Sequence, residues 1–110
     1  MGNEDIVSGI VQELRRGTYI LLVLHKLRTP MYGYSLVKIL QENSIPIEVN
    51  TLYPLLRRLE SQGLLRSEWD TGEPKPRKYY VTTEDGIQVL EKIRSHWERF
   101  SADVSKILDE

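Results

Sequence analysis

The chain has 110 residues, 40% of them hydrophobic and 28% charged, with 15 basic and 16 acidic side chains and no cysteine. That is an ordinary composition for one folded domain with one small core, and it excludes a disordered chain, disulfides, thiolate metal sites and cysteine nucleophiles. The longest apolar run, Tyr19 to Leu24, is too short to span a bilayer, and the N-terminus is acidic where a signal peptide would be basic, so the expected location is the cytoplasm with no membrane partner.

The net charge of -1 hides an uneven distribution. Residues 1–48 carry five basic and five acidic groups and residues 83–110 four and seven, whereas residues 49–82 carry six and four. An anionic partner is therefore expected at the middle of the chain, where Lys75, Arg77 and Lys78 fall within four positions.

From Ile6 the apolar residues Ile6, Val7, Ile10, Val11 and Leu14 recur at helical spacing, and the run to Leu24 and Leu27 continues the pattern, which predicts a first helix over about 4–27 with an interruption at Gly17. Thr29-Pro30 breaks the chain. A second helix follows from Gly33 to about Asn43, with apolar positions Leu36, Val37, Ile39 and Leu40.

After a turn at 44–50, Val49, Leu52, Leu55, Leu56 and Leu59 mark a third helix that Gly63 terminates. Pro54 must lie near its start, which makes Asn50 the candidate N-cap. The face opposite the leucines carries Asn50, Thr51, Tyr53, Pro54, Arg57 and Arg58. Two stretches rich in strand formers, Leu64 to Trp69 and Arg77 to Val81, flank a turn-rich segment and predict a β-hairpin. Thr83-Glu-Asp-Gly then caps a long final helix whose apolar positions Leu90, Ile93, Trp97, Phe100, Val104 and Ile107 step by three and four, a heptad seam.

The expected fold is mainly α with a small β-hairpin, a winged helix-turn-helix with dimerisation helices at both ends. Residues 1–82 supply the DNA-binding domain with its N-terminal helix and residues 83–110 the dimerisation helix, in one compact unit. In this arrangement the third helix fits the major groove and the hairpin reaches the adjacent backbone or minor groove.

Three blocks together resemble the PadR family of bacterial transcriptional repressors: Met31-Tyr-Gly-Tyr-Ser-Leu; Thr51-Leu-Tyr-Pro-Leu-Leu-Arg-Arg-Leu-Glu with Gly63-Leu-Leu; and Arg77-Lys-Tyr-Tyr with Thr83-Glu-Asp-Gly. The single C-terminal helix is similar to the short subfamily, although Thr82 stands where the family usually has leucine. The resemblance implies a homodimer that binds an inverted-repeat operator and is released by a small molecule, with Trp97 at a slot for flat aromatic ligands.

The site residues follow. Tyr34, Asn50, Thr51, Tyr53, Arg57, Lys75, Arg77 and Lys78 are the candidate DNA contacts, each with a structural alternative: Asn50 as a cap only, Tyr34 and Tyr53 as packing groups, the cations as solvated surface. Ile6, Ile10 and Leu14 with Leu90, Ile93, Trp97, Phe100, Val104 and Ile107 are the candidate dimer contacts. Trp97 either fills that interface or lines the ligand slot. His25 and His96 have no partner at motif spacing, and the seven glycines form no phosphate loop, so no enzyme activity, metal site or cofactor is expected. The competing function is a winged-helix adapter that binds protein; the polar and basic third helix speaks against it.

Overall fold

The computed structural model describes residues 2–72 and 75–110. Their order is α1 (Glu4–Arg16), α2 (Thr18–Lys26), β1 (Met31–Tyr32), α3 (Gly33–Glu42), α4 (Val49–Ser61), β2 (Leu65–Asp70), β3 (Arg77–Thr82) and α5 (Glu84–Leu108). A three-stranded antiparallel sheet in the order β1-β3-β2 lies beside the helices.

The core is built from α2 to α4, the sheet and the start of α5. Val23, Leu24 and Leu27 meet Leu36, Val37 and Leu40, Ile47, the α4 stripe of Leu52, Leu56 and Leu59, and then Leu65, Tyr80 and Leu90. The stripe at intervals of four and three buries one side of α4 and leaves the other outside.

Several local expectations meet their physical cause here. Gly63 ends the α4 segment with a φ of 80°, in the left-handed region that a side chain makes costly. The Thr83 hydroxyl accepts the Gly86 amide at 3.0 Å, capping α5 above the acidic pair Glu84 and Asp85. Thr82 is buried but satisfied: its hydroxyl donates to the Leu24 carbonyl at 2.8 Å and its amide to the Leu27 carbonyl at 2.7 Å, tying β3 to the end of α2.

Four expectations are corrected. The first helix is two helices, α1 and α2, divided at Gly17, whose right-handed dihedrals keep the break a local one. The hairpin is part of a three-stranded sheet, because Met31 and Tyr32 pair with Tyr80 and Tyr79. Asn50 is not the N-cap: Glu48 holds that position with extended backbone, its carbonyl accepting the Thr51 and Leu52 amides, and Asn50 is the second helical residue. Leu90, expected in the dimer seam, is only 7% exposed within its own chain, where it joins the core, and Ile93 packs partly against it.

The outer helices are the reverse of the core. No residue of α1 is buried, and Ile6, Val7, Ile10 and Leu14 stand on its surface. Only Gly86 and Leu90 are buried along the 25 residues of α5, while Phe100 is 68% exposed and Ile107 is exposed beyond it.

Candidate nucleic-acid interface

The polar surface of α4 divides into two flanks. Tyr53, Arg57 and Glu60, spaced by four and three, face the sheet. Glu60 accepts the Ser67 hydroxyl of β2 at 2.5 Å and pairs with Lys78 of β3 at 3.9 Å, so it fixes the distance between α4 and the wing. Tyr53 and Arg57 line a groove of about 460 Å³ with Tyr32, Gly33 and Tyr34 on one side and Trp69, Pro76, Arg77, Lys78 and Tyr80 on the other. The Tyr53 ring lies on Gly33, where a Cβ would come within 2.8 Å of it, so the glycine is what admits the ring. Tyr34 stands 68% exposed at the rim, and Tyr80 is buried, its phenol pushed up by that burial.

The second flank carries Thr51, Pro54 and Arg58 and faces α1 and α2. There Thr51 shares one cleft with Arg15, Arg16 and Tyr19, and Arg58 shares another with Arg16 and Pro54. Arg15 and Arg16 were not singled out from sequence; the sign that could have found them is the pair of adjacent cations ending an amphipathic helix. Asn50, exposed near the start of α4, lies between the two flanks.

Two of the three wing cations, Arg77 and Lys78, line the groove of Tyr53 and Arg57 together. Adjacent strand residues leave β3 on opposite sides, and the two cations accordingly stack on different rings. Lys78 faces α4, its Nζ 5.8 Å from the ring centroids of both Trp69 and Tyr80. The Arg77 guanidinium is 5.1 Å from the centroid of the Tyr32 ring, which lines the same groove. Lys75 is exposed in the segment between the strands.

Polar bonds around Tyr32 and Tyr79 brace the wing. The Tyr32 hydroxyl donates to Asp70 at 2.5 Å, Asp70 also accepts the Gly72 amide at 3.0 Å, and the Tyr79 hydroxyl donates to Glu68 at 3.2 Å. The Tyr32 and Gly72 bonds hold the Asp70 carboxyl below its ordinary value. A carboxylate held low in the folded state contributes to stability above the ordinary aspartate pKa, and the contribution is lost as pH falls through the lowered value. In an NMR titration Asp70 is expected to protonate below ordinary aspartates, and Tyr32→Phe to move its midpoint upward; an unmoved midpoint would show that the bond does not form in solution.

A helix-turn-helix formed by α3 and α4, followed by a basic wing, defines a winged-helix DNA-binding protein. Residues 20–92 match the PadR-like family of transcriptional regulators, and the chain belongs to that family. It is similar to a PadR family transcriptional regulator from Eggerthella lenta at 59% identity, with a TM-score of 0.94 over 98% of this chain and 96% of that one. A PadR-like transcription factor from Bacteroides fragilis is 30% identical, with a TM-score of 0.74 over 90% and 98% of the two chains. A transcriptional regulator of Mycobacterium tuberculosis is 30% identical over 86% of this chain and 89% of its own. The protein is thus a DNA-binding transcriptional regulator and not an enzyme. Among the described residues no helix is long and apolar enough to cross a membrane.

Proposed function

We propose that the protein is a repressor that binds an inverted-repeat operator as a homodimer joined through α1 and α5, and that a flat aromatic molecule at Trp97 releases it. The observation that carries this reading is the uncovered apolar surface of α1 and of the distal half of α5. Ile6, Ile10, Leu14, Phe100, Val104 and Ile107 are all exposed in one chain. A surface of that extent on two helices is a site of association, and a second copy offers the same stripes in return.

The duplex contacts are assigned to Tyr34, Asn50, Thr51, Tyr53 and Arg57 around the groove and to Lys75, Arg77 and Lys78 of the wing, with α4 in the major groove. Lys78 and Arg77 both line the groove beside α4 and are assigned to the phosphates there. Changing Lys75, Arg77 and Lys78 to alanine is expected to weaken binding to every sequence and to flatten the salt dependence by about 0.9 per lost phosphate contact. Unchanged affinity with an unchanged slope would return these cations to a solubility role.

Trp97 supports the effector reading by its position. It is 46% exposed and stands between two cavities. One, of about 210 Å³, is lined by Thr18, Leu21, Leu22, His25, Leu90 and Arg94. The other lies towards α4 and includes Arg58 and Leu59. Burial and the neighbouring Arg28 hold the His25 imidazole below its ordinary pKa. A ligand that prefers by about 100-fold a dimer with misplaced α4 helices lowers DNA affinity by about 2.7 kcal/mol.

Selection of genomic fragments by the purified protein, with and without planar aromatic compounds, tests the whole reading. Recovered fragments should share an inverted repeat and be lost with an effective compound, which should also quench Trp97 fluorescence. Trp97→Ala should remove both quenching and release. Selection of fragments without a repeat, or a compound panel that leaves emission untouched, would sink the operator and effector parts respectively.

A further inference from the structure

We infer that Trp69 is a DNA-contacting residue, its indole packed on the deoxyribose wall of the minor groove beside the phosphates that Lys78 and Arg57 hold. The inference rests on the proposed docking of α4 and the wing on duplex DNA. Trp69 is the next-to-last residue of β2 and is paired directly with Lys78 of β3. It shares its sheet face with Ser67, two residues back, and Ser67 bonds Glu60 of α4. The indole is therefore on the side of the wing that faces α4, and it lines the same groove as Tyr34, Tyr53 and Arg57.

The Trp69 indole is 63% exposed there and so open to a partner. It is not accounted for by self-association, since none of the residues lining this groove belongs to α1 or α5. The surroundings specify the chemistry: Lys78 lies over the ring, Arg57 lines the opposite wall, and phenols surround both. A surface that alternates cations with an exposed apolar ring fits a ligand that alternates anions with apolar patches. A nucleic-acid strand does so, because each deoxyribose lies between two phosphates. The wing position puts the ring at the minor-groove side of a half-site whose major groove holds α4.

An apolar contact weakens binding without releasing counterions, which separates Trp69 from the cations next to it. The probe is a mixed-sequence duplex about three helical turns long, titrated over about 50–200 mM salt. Trp69→Ala is expected to lower affinity about tenfold with an unchanged salt slope, and Trp69→Phe to restore most of it. Native contact is read directly by fluorine NMR of protein carrying 5-fluorotryptophan at Trp69 and Trp97, the Trp69 signal being identified by its loss in Trp69→Phe. Saturating duplex should shift that signal and remove its solvent isotope shift. If wild-type protein binds the duplex while the Trp69 signal keeps its position and its solvent exposure, the inference is overturned and the docking reading stands. A Trp69→Ala loss accompanied by a flatter slope also overturns it, since the ring would then act only by holding Lys78. Failure of the wild-type protein to bind any duplex overturns both.

Discussion

Phe100→Glu is expected to convert the proposed homodimer to monomers and to cost at least about a hundredfold in operator affinity. The ring is among the most exposed apolar groups of the chain, on the part of α5 that no longer touches its own core. In a homodimer two copies of each substituted residue enter one interface, so a single change buries two charges without partners. The affinity loss has a separate origin. In the proposed homodimer two linked α4 helices would bind two half-sites with the second contact made at high effective concentration, and that gain alone is worth about 10²–10⁴. Val104→Glu should act alike, and sedimentation velocity with a titration of operator DNA checks both. Wild-type protein that sediments as a stable monomer at micromolar concentration would overturn the dimer; monomeric Phe100→Glu with full affinity would overturn the linkage between assembly and binding.

Gly86→Ala is expected to destabilise the fold by about 1–3 kcal/mol, the reverse of what the substitution does in an open helix, where alanine is favoured by up to about 1 kcal/mol. Gly86 is buried in the first turn of α5. A Cβ there would collide with the backbone carbonyl of Leu64 and come within 2.6 Å of the Thr82 side chain. The carbonyl cannot yield cheaply, because it accepts the Thr83 amide at 3.0 Å where the sheet hands over to α5. Gly17→Ala provides the contrast: its added methyl meets nothing within 4 Å and its backbone is already right-handed, so stability should rise. A melting temperature lowered by Gly86→Ala and raised by Gly17→Ala is the expected pattern; equal shifts would mean that the close approach at Gly86 relaxes without cost.

The two results bear on how the wing is carried. Glu60 and Ser67 join α4 to β2, Thr82 ties β3 to α2, and Gly86 lets α5 start directly beneath the sheet. A change in the angle of α5 at the proposed dimer interface would therefore be passed to both DNA-reading elements through short polar links rather than through loose loops. On the proposed reading, this is how a guest at Trp97 would alter operator binding without touching DNA.

What the sequence by itself determined are the features encoded within a few residues of one another. The leucines of α4 recur at helical spacing and give the helix, its buried side and its polar side; Gly63 and Thr83 mark a helix end and a helix start because a left-handed backbone and an exposed amide each have one short-range remedy. The order of elements, with the three blocks that resemble the PadR family, followed from these. The tertiary structure alone decided what depends on partners distant in the chain. Met31 and Tyr32 are too few to announce a strand and become one only because β3 offers them its free edge. Arg77 and Lys78 are neighbours in sequence, but that they share a groove with Tyr53 and Arg57 follows only from the packing of the sheet against α4, with Trp69 paired to Lys78. Leu90 fits a heptad with Phe100 and Val104, yet it joins the core with Val23 and Leu24 of α2, while Phe100 and Val104 are exposed. Periodicity tells which residues share a face; only packing tells what that face meets.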